Sequence, residues 1–118
     1  MQRKDESMTD LGATRIHKNA VASITSIAAV EIEGVKRVGG NLKSGLFAMF
    51  GKKSYSAINV ELNKNGEVRV EVPLIIRYGY NIPDIANRVQ ENVRVSLEKM
   101  TNLVVKDINI KVRAIEKE

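Results

Sequence analysis

Few residues in this 118-residue chain are of the types that perform chemistry. The sequence has no cysteine, which excludes disulfides, thiolate metal sites and cysteine nucleophiles. It has one histidine, His17, so metal sites built from several histidines are excluded and a single imidazole is left for acid–base work. His17 stands at the start of a predicted helix beside a polar tail, and we interpret it as an exposed or capping side chain.

The acidic residues do not form the close carboxylate pairs that acid–base catalysis or metal binding requires. Glu31 and Glu33 are two residues apart on a predicted helix and therefore point to different sides. Glu61, Glu71 and Asp107 fall on a predicted open sheet face among basic side chains, where cross-strand charge pairing is expected. The glycine-rich stretch contains neither GxGxxG nor the GxxxxGK[ST] phosphate loop. We therefore predict no catalytic residue, no metal site and no cofactor.

The excess positive charge is confined to one segment. The chain carries 19 Lys and Arg against 14 Asp and Glu, a net charge of +5. Residues 34–60 contain no acid and hold Lys36, Arg37, Lys43, Lys52 and Lys53. So few charges do not support strong sequence-independent nucleic-acid binding at physiological salt. They fit a solvated loop, a surface for an acidic partner, or a surface for anionic lipid.

The same region contains an apolar cluster with a basic fringe, which we call the docking segment, residues 42–53. Its members are Lys43, Leu46, Phe47, Met49, Phe50, Lys52 and Lys53. Such a cluster suits a protein partner or the interface of an anionic membrane, and it equally suits a lid over the core of a small sheet. We predict these residues as the candidate interaction surface.

Hydrophobic periodicity predicts two long helices and one short one. Residues 17–33 carry apolar side chains at three- and four-residue spacing, at Ala20, Val21, Ile24, Ile27, Ala28 and Ile32. Residues 82–100 follow Asn81, a good N-cap, and carry an apolar stripe at Ile82, Ile85, Ala86, Val89, Val93, Leu97 and Met100. Residues 42–51 form a predicted short helix, which the glycine at position 45 weakens.

Four strands are predicted, at residues 35–38, 56–63, 67–77 and 103–115. The middle two form a hairpin. A three-residue loop ending at Gly66 places Leu62 opposite Val68, so the apolar faces match, whereas a two-residue loop mixes them. Pro73 cannot donate a ladder hydrogen bond, so we expect it at a sheet edge or a bulge. In the last strand, Ile108, Ile110, Val112 and Ala114 are predicted to face inward.

The order α-β-(short α)-β-β-α-β, with one apolar face on each strand, predicts an α+β fold. We expect a two-layer sandwich in which helices cover one face of a small, mainly antiparallel sheet. Residues 1–15 are predicted as a disordered tail and residues 16–118 as a single domain. No apolar run is long enough to span a membrane, and the first ten residues do not read as a secretory signal, so the expected compartment is the cytoplasm.

Several segments in their order resemble the alkaline shock protein family, also described as Gls-type general stress or envelope stress response proteins. The most specific are the Tyr-Gly-Tyr-Asn-Ile-Pro joint at 78–83 and the Gln-Glu-Asn-Val core of the helix at 90–93. The resemblance covers about residues 15–115. It implies a small cytoplasmic α+β protein without catalytic residues, associated with envelope homeostasis and stress. It also implies a membrane-anchored protein partner or self-association.

The predicted function is therefore a non-enzymatic stress-response protein that acts through protein–protein interaction, peripheral to the membrane through a partner. The alternative is an accessory protein associated with nucleic acid or the ribosome, which the basic segment favours. Readers of RNA on an open sheet stack bases on aromatic side chains. The predicted outward set contains none, since it consists of Asn59, Glu61, Arg69, Glu71, Asn109, Lys111 and Arg113. An enzyme or small-ligand carrier is the least favoured interpretation.

Overall fold

The computed structural model describes residues 17–39 and 57–117. Helix α1 covers 17–30, and helix α2 is Ile82–Met100. The strands are β1 (Val35–Val38), β2 (Asn59–Leu62), β3 (Glu67–Arg77) and β4 (Val104–Glu116). The predicted tail, the predicted short helix and the docking segment lie outside the described residues.

The sheet is organised around β3, the central strand. Along one edge of β3, β2 pairs with the first part and β1 with the last part, both antiparallel. Along the other edge β4 runs parallel to β3 over its whole length. The α+β prediction is confirmed, and two of these three pairings are antiparallel. The third is parallel because α2 carries the chain back between β3 and β4, as a parallel connection requires.

Both helices cover the same face of this sheet. The inward residues of β3 are buried against α1 and α2 in one core, and they are Val68, Val70, Val72, Leu74 and Ile76. From α2 this core receives Ile85, Val89, Val93 and Leu97, four members of the predicted stripe. Met100, predicted in the same stripe, is 67% exposed. The two-layer arrangement is confirmed for the described residues.

The hairpin between β2 and β3 has the predicted register. Val60 lies opposite Val70 and Leu62 opposite Val68. Gly66 has φ +79°, the left-handed conformation that ends the three-residue loop. The Asn63 side chain stabilises the loop, since its Oδ1 accepts hydrogen bonds from the backbone N–H groups of Asn65 (2.9 Å) and Glu67 (3.0 Å).

Two details of the sheet differ from the predictions. Pro73 lies in a central strand and not at an edge, but it falls between the stretches of β3 that pair with β2 and with β1. The Pro73 carbonyl accepts a hydrogen bond from Gly39 N (3.0 Å), so the backbone of Pro73 is directed toward β1 and β2 and away from β4. The lack of an N–H at Pro73 therefore removes no hydrogen bond between β3 and β4. The prediction for Ala114 is also wrong. A bulge at Arg113 places Ala114 opposite Ile75, on the face away from the helices.

Helix α1 packs through small residues as well as large ones. Val21 and Ala28 of the predicted stripe are buried, while Ala20 is exposed and Ile27 is 57% exposed. Four residues outside the predicted stripe are buried in their place, namely Ala22, Thr25, Ser26 and Ala29. Small side chains let the helix backbone approach the sheet closely, and hydrophobicity alone gives them little weight in a sequence pattern.

Candidate functional site

The predicted interaction surface cannot be placed, because Lys43, Leu46, Phe47, Met49, Phe50, Lys52 and Lys53 all lie outside the described residues. It stays a prediction. The described residues nevertheless place every other side chain that the sequence singled out for chemistry. His17 is exposed at the first described position of α1.

The acidic side chains near the end of α1 have separate structural partners. Glu31 Oε1 accepts a hydrogen bond from the Asn92 amide (3.0 Å), and Glu33 Oε2 accepts one from the Tyr80 hydroxyl (3.0 Å). The two carboxylates have different partners, and they lie in the turn after α1, which ends at residue 30 and not at residue 33 as predicted. Within the described parts of the chain, no three His, Asp or Glu side chains are grouped so that they could hold a metal ion.

The sheet face away from the helices is polar and of mixed sign. Cross-strand register puts Glu61 opposite Arg69 and Glu71 opposite Asn109. Lys111 Nζ approaches Glu71 Oε2 at 3.7 Å. The strand register places six members of the predicted outward set on this face, namely Asn59, Glu61, Arg69, Glu71, Asn109 and Lys111. The described residues of this face offer charge pairs, whereas readers of RNA on an open sheet use aromatic side chains.

A shallow cleft of about 330 Å³ opens on this face beside the hairpin. It is lined by Glu61, Leu62, Asn63, Glu67, Arg69 and Lys106. The hydrogen bond from Asn63 and the charge of Lys106, whose Nζ lies 3.7 Å from Glu67 Oε2, hold the pKa of Glu67 below its ordinary value. A general base needs a pKa near the working pH, so this carboxylate is poorly suited to that role.

The first two cations of the basic segment are joined to the end of β4. Arg37 forms a two-pronged ion pair with Glu116, with Nη1–Oε1 at 3.2 Å and Nη2–Oε2 at 3.0 Å. Lys36 Nζ lies 3.2 Å from Glu116 Oε1 and donates to the Lys117 carbonyl (3.1 Å). These hydrogen bonds, first from Arg37 and then from Lys36, lower the pKa of Glu116. Lys36 and Arg37 are thus engaged within the fold.

The joint at 78–83 has mainly a structural role. The Tyr80 ring packs against Gly34, whose φ of +106° and lack of a side chain permit the contact. Asn81 caps α2, since its Oδ1 accepts from the backbone N–H of Asp84 (2.9 Å). Tyr78 is different, because it is 67% exposed and the face of its ring meets the Lys117 ammonium, 5.4 Å from the ring centre.

Two polar residues in the middle of α2 make hydrogen bonds to other elements, one to the sheet and one to α1. Gln90 Nε2 donates to the Ile108 carbonyl in β4 (2.7 Å). Asn92 Nδ2 donates to the Ala28 carbonyl at the end of α1 (2.7 Å) as well as to Glu31. The Gln-Glu-Asn-Val motif at 90–93, which contributes to the family resemblance, therefore supplies tertiary hydrogen bonds. Sequence periodicity did not reveal these contacts, because it treats both residues as solvent-facing.

Comparison with known proteins agrees with this structural picture. The profile of the alkaline shock protein 23 family, described by its cell envelope-related function, matches residues 6–117. The chain belongs to this alkaline shock protein family. The predicted resemblance to alkaline shock and Gls-type proteins is thereby confirmed, and an envelope-related function at the level of the family is established.

Individual relatives of this alkaline shock family chain extend the comparison. YqhY of Bacillus subtilis (strain 168) is 34% identical over 97% of this chain and 84% of its own length. YloU of the same organism is 26% identical over 93% of both chains. A protein of Streptococcus pyogenes serotype M3 named as a stress response regulator gls24 homolog is 26% identical over 92% of this chain, which spans 62% of that protein.

The fold also occurs in a solved structure. A double variant of the MamM-CTD matches with a TM-score of 0.51 at 12% identity, over 83% of this chain and 94% of that one. At this identity the likeness shows the fold alone. Among the described residues of this alkaline shock family chain, no helix is long and apolar enough to cross a membrane.

Proposed function

We propose that this chain is a non-enzymatic envelope-stress or general-stress response protein that acts by binding other proteins. It works in the cytoplasm and reaches the membrane through a membrane-anchored partner. The family match over residues 6–117, with its envelope-related description, is the observation that carries the proposal. A relative named as a stress response regulator homolog supports the stress part.

The chemistry of the described surface supports a binding role. Three of the five acidic side chains considered in the sequence analysis have a structural partner: Asn92 for Glu31, Tyr80 for Glu33 and Lys111 for Glu71. These three side chains make contacts within the fold. The docking segment, with its phenylalanines and lysines, is the surface that we propose for the partner.

Sedimentation with membranes tests this proposal. Purified protein is mixed with native membrane vesicles of the source organism, with the same vesicles after protease treatment, and with protein-free vesicles containing anionic lipid. We expect co-sedimentation with the native vesicles only. Phe47→Asp combined with Phe50→Asp should abolish it while the far-ultraviolet circular dichroism spectrum stays unchanged.

Other outcomes have definite meanings. Binding to the protein-free vesicles would replace the protein partner with direct lipid contact, and no binding to native vesicles would contradict the membrane role. The second candidate, a nucleic-acid or ribosome accessory, rests on the basic segment, of which Lys36 and Arg37 are engaged with Glu116. RNA binding that weakens steeply as salt is raised would favour it.

A further inference from the structure

The hydrogen bonds of β3 determine which way the backbone groups of β4 point. The Glu67 carbonyl accepts from Asn63 N (3.0 Å) and Arg77 N donates to the Gly34 carbonyl (2.8 Å), so odd-numbered residues of β3 direct their backbone groups away from β4. Even-numbered residues of β3 therefore bond to β4. In a parallel pair, the residue opposite each of these directs its own N–H and carbonyl to the far side.

Two residues in the second half of β4 have outward backbone groups by this rule. Ile110 and Val112 lie opposite even-numbered residues of β3, so their N–H and carbonyl groups point away from the sheet. The bond from Tyr78 N to the Glu116 carbonyl (2.8 Å) agrees with the rule, because Tyr78 continues the even-numbered series. Among the described residues, β4 pairs with β3 alone.

Side chains of α2 already cover the first half of the same edge. Gln90 donates to the Ile108 carbonyl (2.7 Å), and Arg94 Nη1 donates to the Val105 carbonyl (3.4 Å). The part that can accept another strand is therefore confined to residues 110–117, which we call the open edge. An unpaired strand edge is a template for an extended peptide.

The open edge is basic. It carries Lys111, Arg113 and Lys117, all exposed, and its one acidic residue, Glu116, is held by the ion pairs from β1. Arg113 has no ion-pair partner among the described residues. Like charges across two strands repel and opposite charges attract, so these cations disfavour a second basic edge and favour an acidic strand.

The side chains that the open edge presents on the side of the helices are apolar. Ile110 and Val112 are partly buried and pack against the core, and Ile115 is 51% exposed. Residues opposite each other on adjacent strands share a face. An added strand therefore places one alternate set of its side chains beside these apolar residues and the other set on the side of Lys111.

We propose that the open edge binds an extended acidic segment of a partner protein, which joins the sheet as a further strand beside β4. The segment alternates apolar residues, which cover Ile110 and Val112, with acidic residues, which pair with the cations of the edge. This inference rests on the proposed protein-binding function and deepens it by giving the chemistry of one bound segment. The contact is separate from the docking segment.

Amide hydrogen exchange of the ¹⁵N-labelled chain tests the inference without membranes. The probe is a short synthetic peptide of alternating valine and glutamate, and the control peptide has lysine in place of each glutamate. We expect only the acidic peptide to slow exchange at the Ile110 and Val112 amides. Exchange at Asn109 and Lys111, whose backbone groups face β3, should stay unchanged. Added salt should weaken the binding.

A charge reversal on the open edge provides a second test. Arg113→Glu should weaken binding of the acidic peptide about five- to tenfold, because it turns an attraction into a repulsion. Lys64→Glu is the matched control, since it makes the same change of charge at an exposed position in the hairpin loop, at the other end of the sheet. This variant should bind the peptide as the wild type does.

Several results would refute the inference. One is the same effect of both peptides, or no effect of either at millimolar concentration. Another is slow exchange at Ile110 and Val112 in the free chain, because the edge would then already be covered by the chain itself or by a second copy. Equal binding by Arg113→Glu and the wild type would also refute it. A chain that binds the acidic peptide but not native vesicles would contradict only the proposed membrane role.

Discussion

Arg37 of β1 and Glu116 of β4, 79 residues apart in the chain, form an ion pair that bridges the two strands on either side of β3. The two side chains lie on the face away from the helices, next to Ile75, which is fully buried although most of that face is polar. The pair therefore joins the beginning of the described sheet to its end. It gives the sheet a stabilising contact that depends on the charge of one carboxylate.

This contact predicts a dependence of stability on pH. The pKa of Glu116 is lowered below its ordinary value of 4.5 by the hydrogen bonds from Arg37 and Lys36. A depressed pKa adds stability that is present above pH 4.5 and is lost as the pH falls through the lower, folded-state pKa. Glu116→Gln should therefore be less stable than wild type at neutral pH, and the difference should shrink in acid. Urea unfolding at several pH values measures it.

Glu98→Gln is the matched control, since Glu98 is exposed on α2 and has no ion pair among the described residues. Its stability should follow the wild-type curve across the same pH range. If Glu116→Gln also followed that curve, the ion pair would contribute nothing measurable.

We expect Gly34→Ala to destabilise the protein by steric crowding as well as by backbone strain. Gly79→Ala is the control, because it introduces the backbone strain alone. Gly34 and Gly79 both have positive φ, +106° and +97°. A Cβ on Gly34 would lie 2.8 Å from Ile85 Cδ1 and 2.9 Å from Tyr80 Cδ2, whereas a Cβ on Gly79 would meet nothing within 4 Å. Gly79→Ala should cost about 1–2 kcal/mol for the conformation alone. Gly34→Ala should cost about 1–3 kcal/mol more, because it also crowds the core.

Denaturant unfolding of the two variants checks this difference. Equal losses of stability would mean that Tyr80 and Ile85 move aside freely. The close packing of the joint against Gly34 would then be unimportant.

We expect the removal of the Asn92 side chain to lower stability, because this side chain connects α2 to the end of α1. Asn92→Ala removes the donor to the Ala28 carbonyl and to Glu31, and should lower the free energy of unfolding by about 1–2 kcal/mol. Asn87→Ala is the control on the same helix, because the Asn87 side chain is exposed and makes no hydrogen bond among the described residues. It should change stability by no more than about 0.5 kcal/mol. Chemical denaturation measures the free energy of unfolding of both variants. Equal values would contradict the proposed role of Asn92.

We expect the replacement of Thr25 by valine to stabilise the protein. It is fully buried in α1, and its Oγ1 has no hydrogen-bond partner among the described residues. Thr25→Val has nearly the same shape and removes the uncompensated polar group, so it should raise stability by about 1 kcal/mol. Thr101→Val should have the opposite sign, since the Thr101 hydroxyl donates to Leu97 O (2.7 Å) and accepts from Leu103 N (3.2 Å). Thermal unfolding of the two variants and the wild type measures these effects. A midpoint for Thr25→Val below that of the wild type would show that the Thr25 hydroxyl does have a stabilising partner.

Local patterns predicted much of this fold. Matching apolar faces gave the register of the hairpin, with Leu62 opposite Val68, and capping residues placed the start of α2 at the correct position. The parallel direction of β4 could not be predicted in this way, because alternation shows which face is buried but not which way a neighbouring strand runs. The bulge at Arg113, which reverses the side of Ala114, is likewise a property of the strand pairing.

The candidate site was less predictable from sequence. The outward set of polar residues was correct, because charge alternates clearly along β3 and β4. The tertiary hydrogen bonds from Gln90 and Asn92 were missed. Their residue types are equally suited to solvent.

Affinity capture with a matched pair of baits tests whether this family member acts by binding a protein partner at the membrane. Tagged wild-type chain and the Phe47→Asp, Phe50→Asp variant are recovered from detergent-solubilised, nuclease-treated cells of the source organism, and bound proteins are identified by mass spectrometry. We expect a membrane-anchored protein or a related family member to be recovered with the wild type and to be lost with the variant. Recovery of ribosomal proteins or RNA-processing factors by both baits would contradict it.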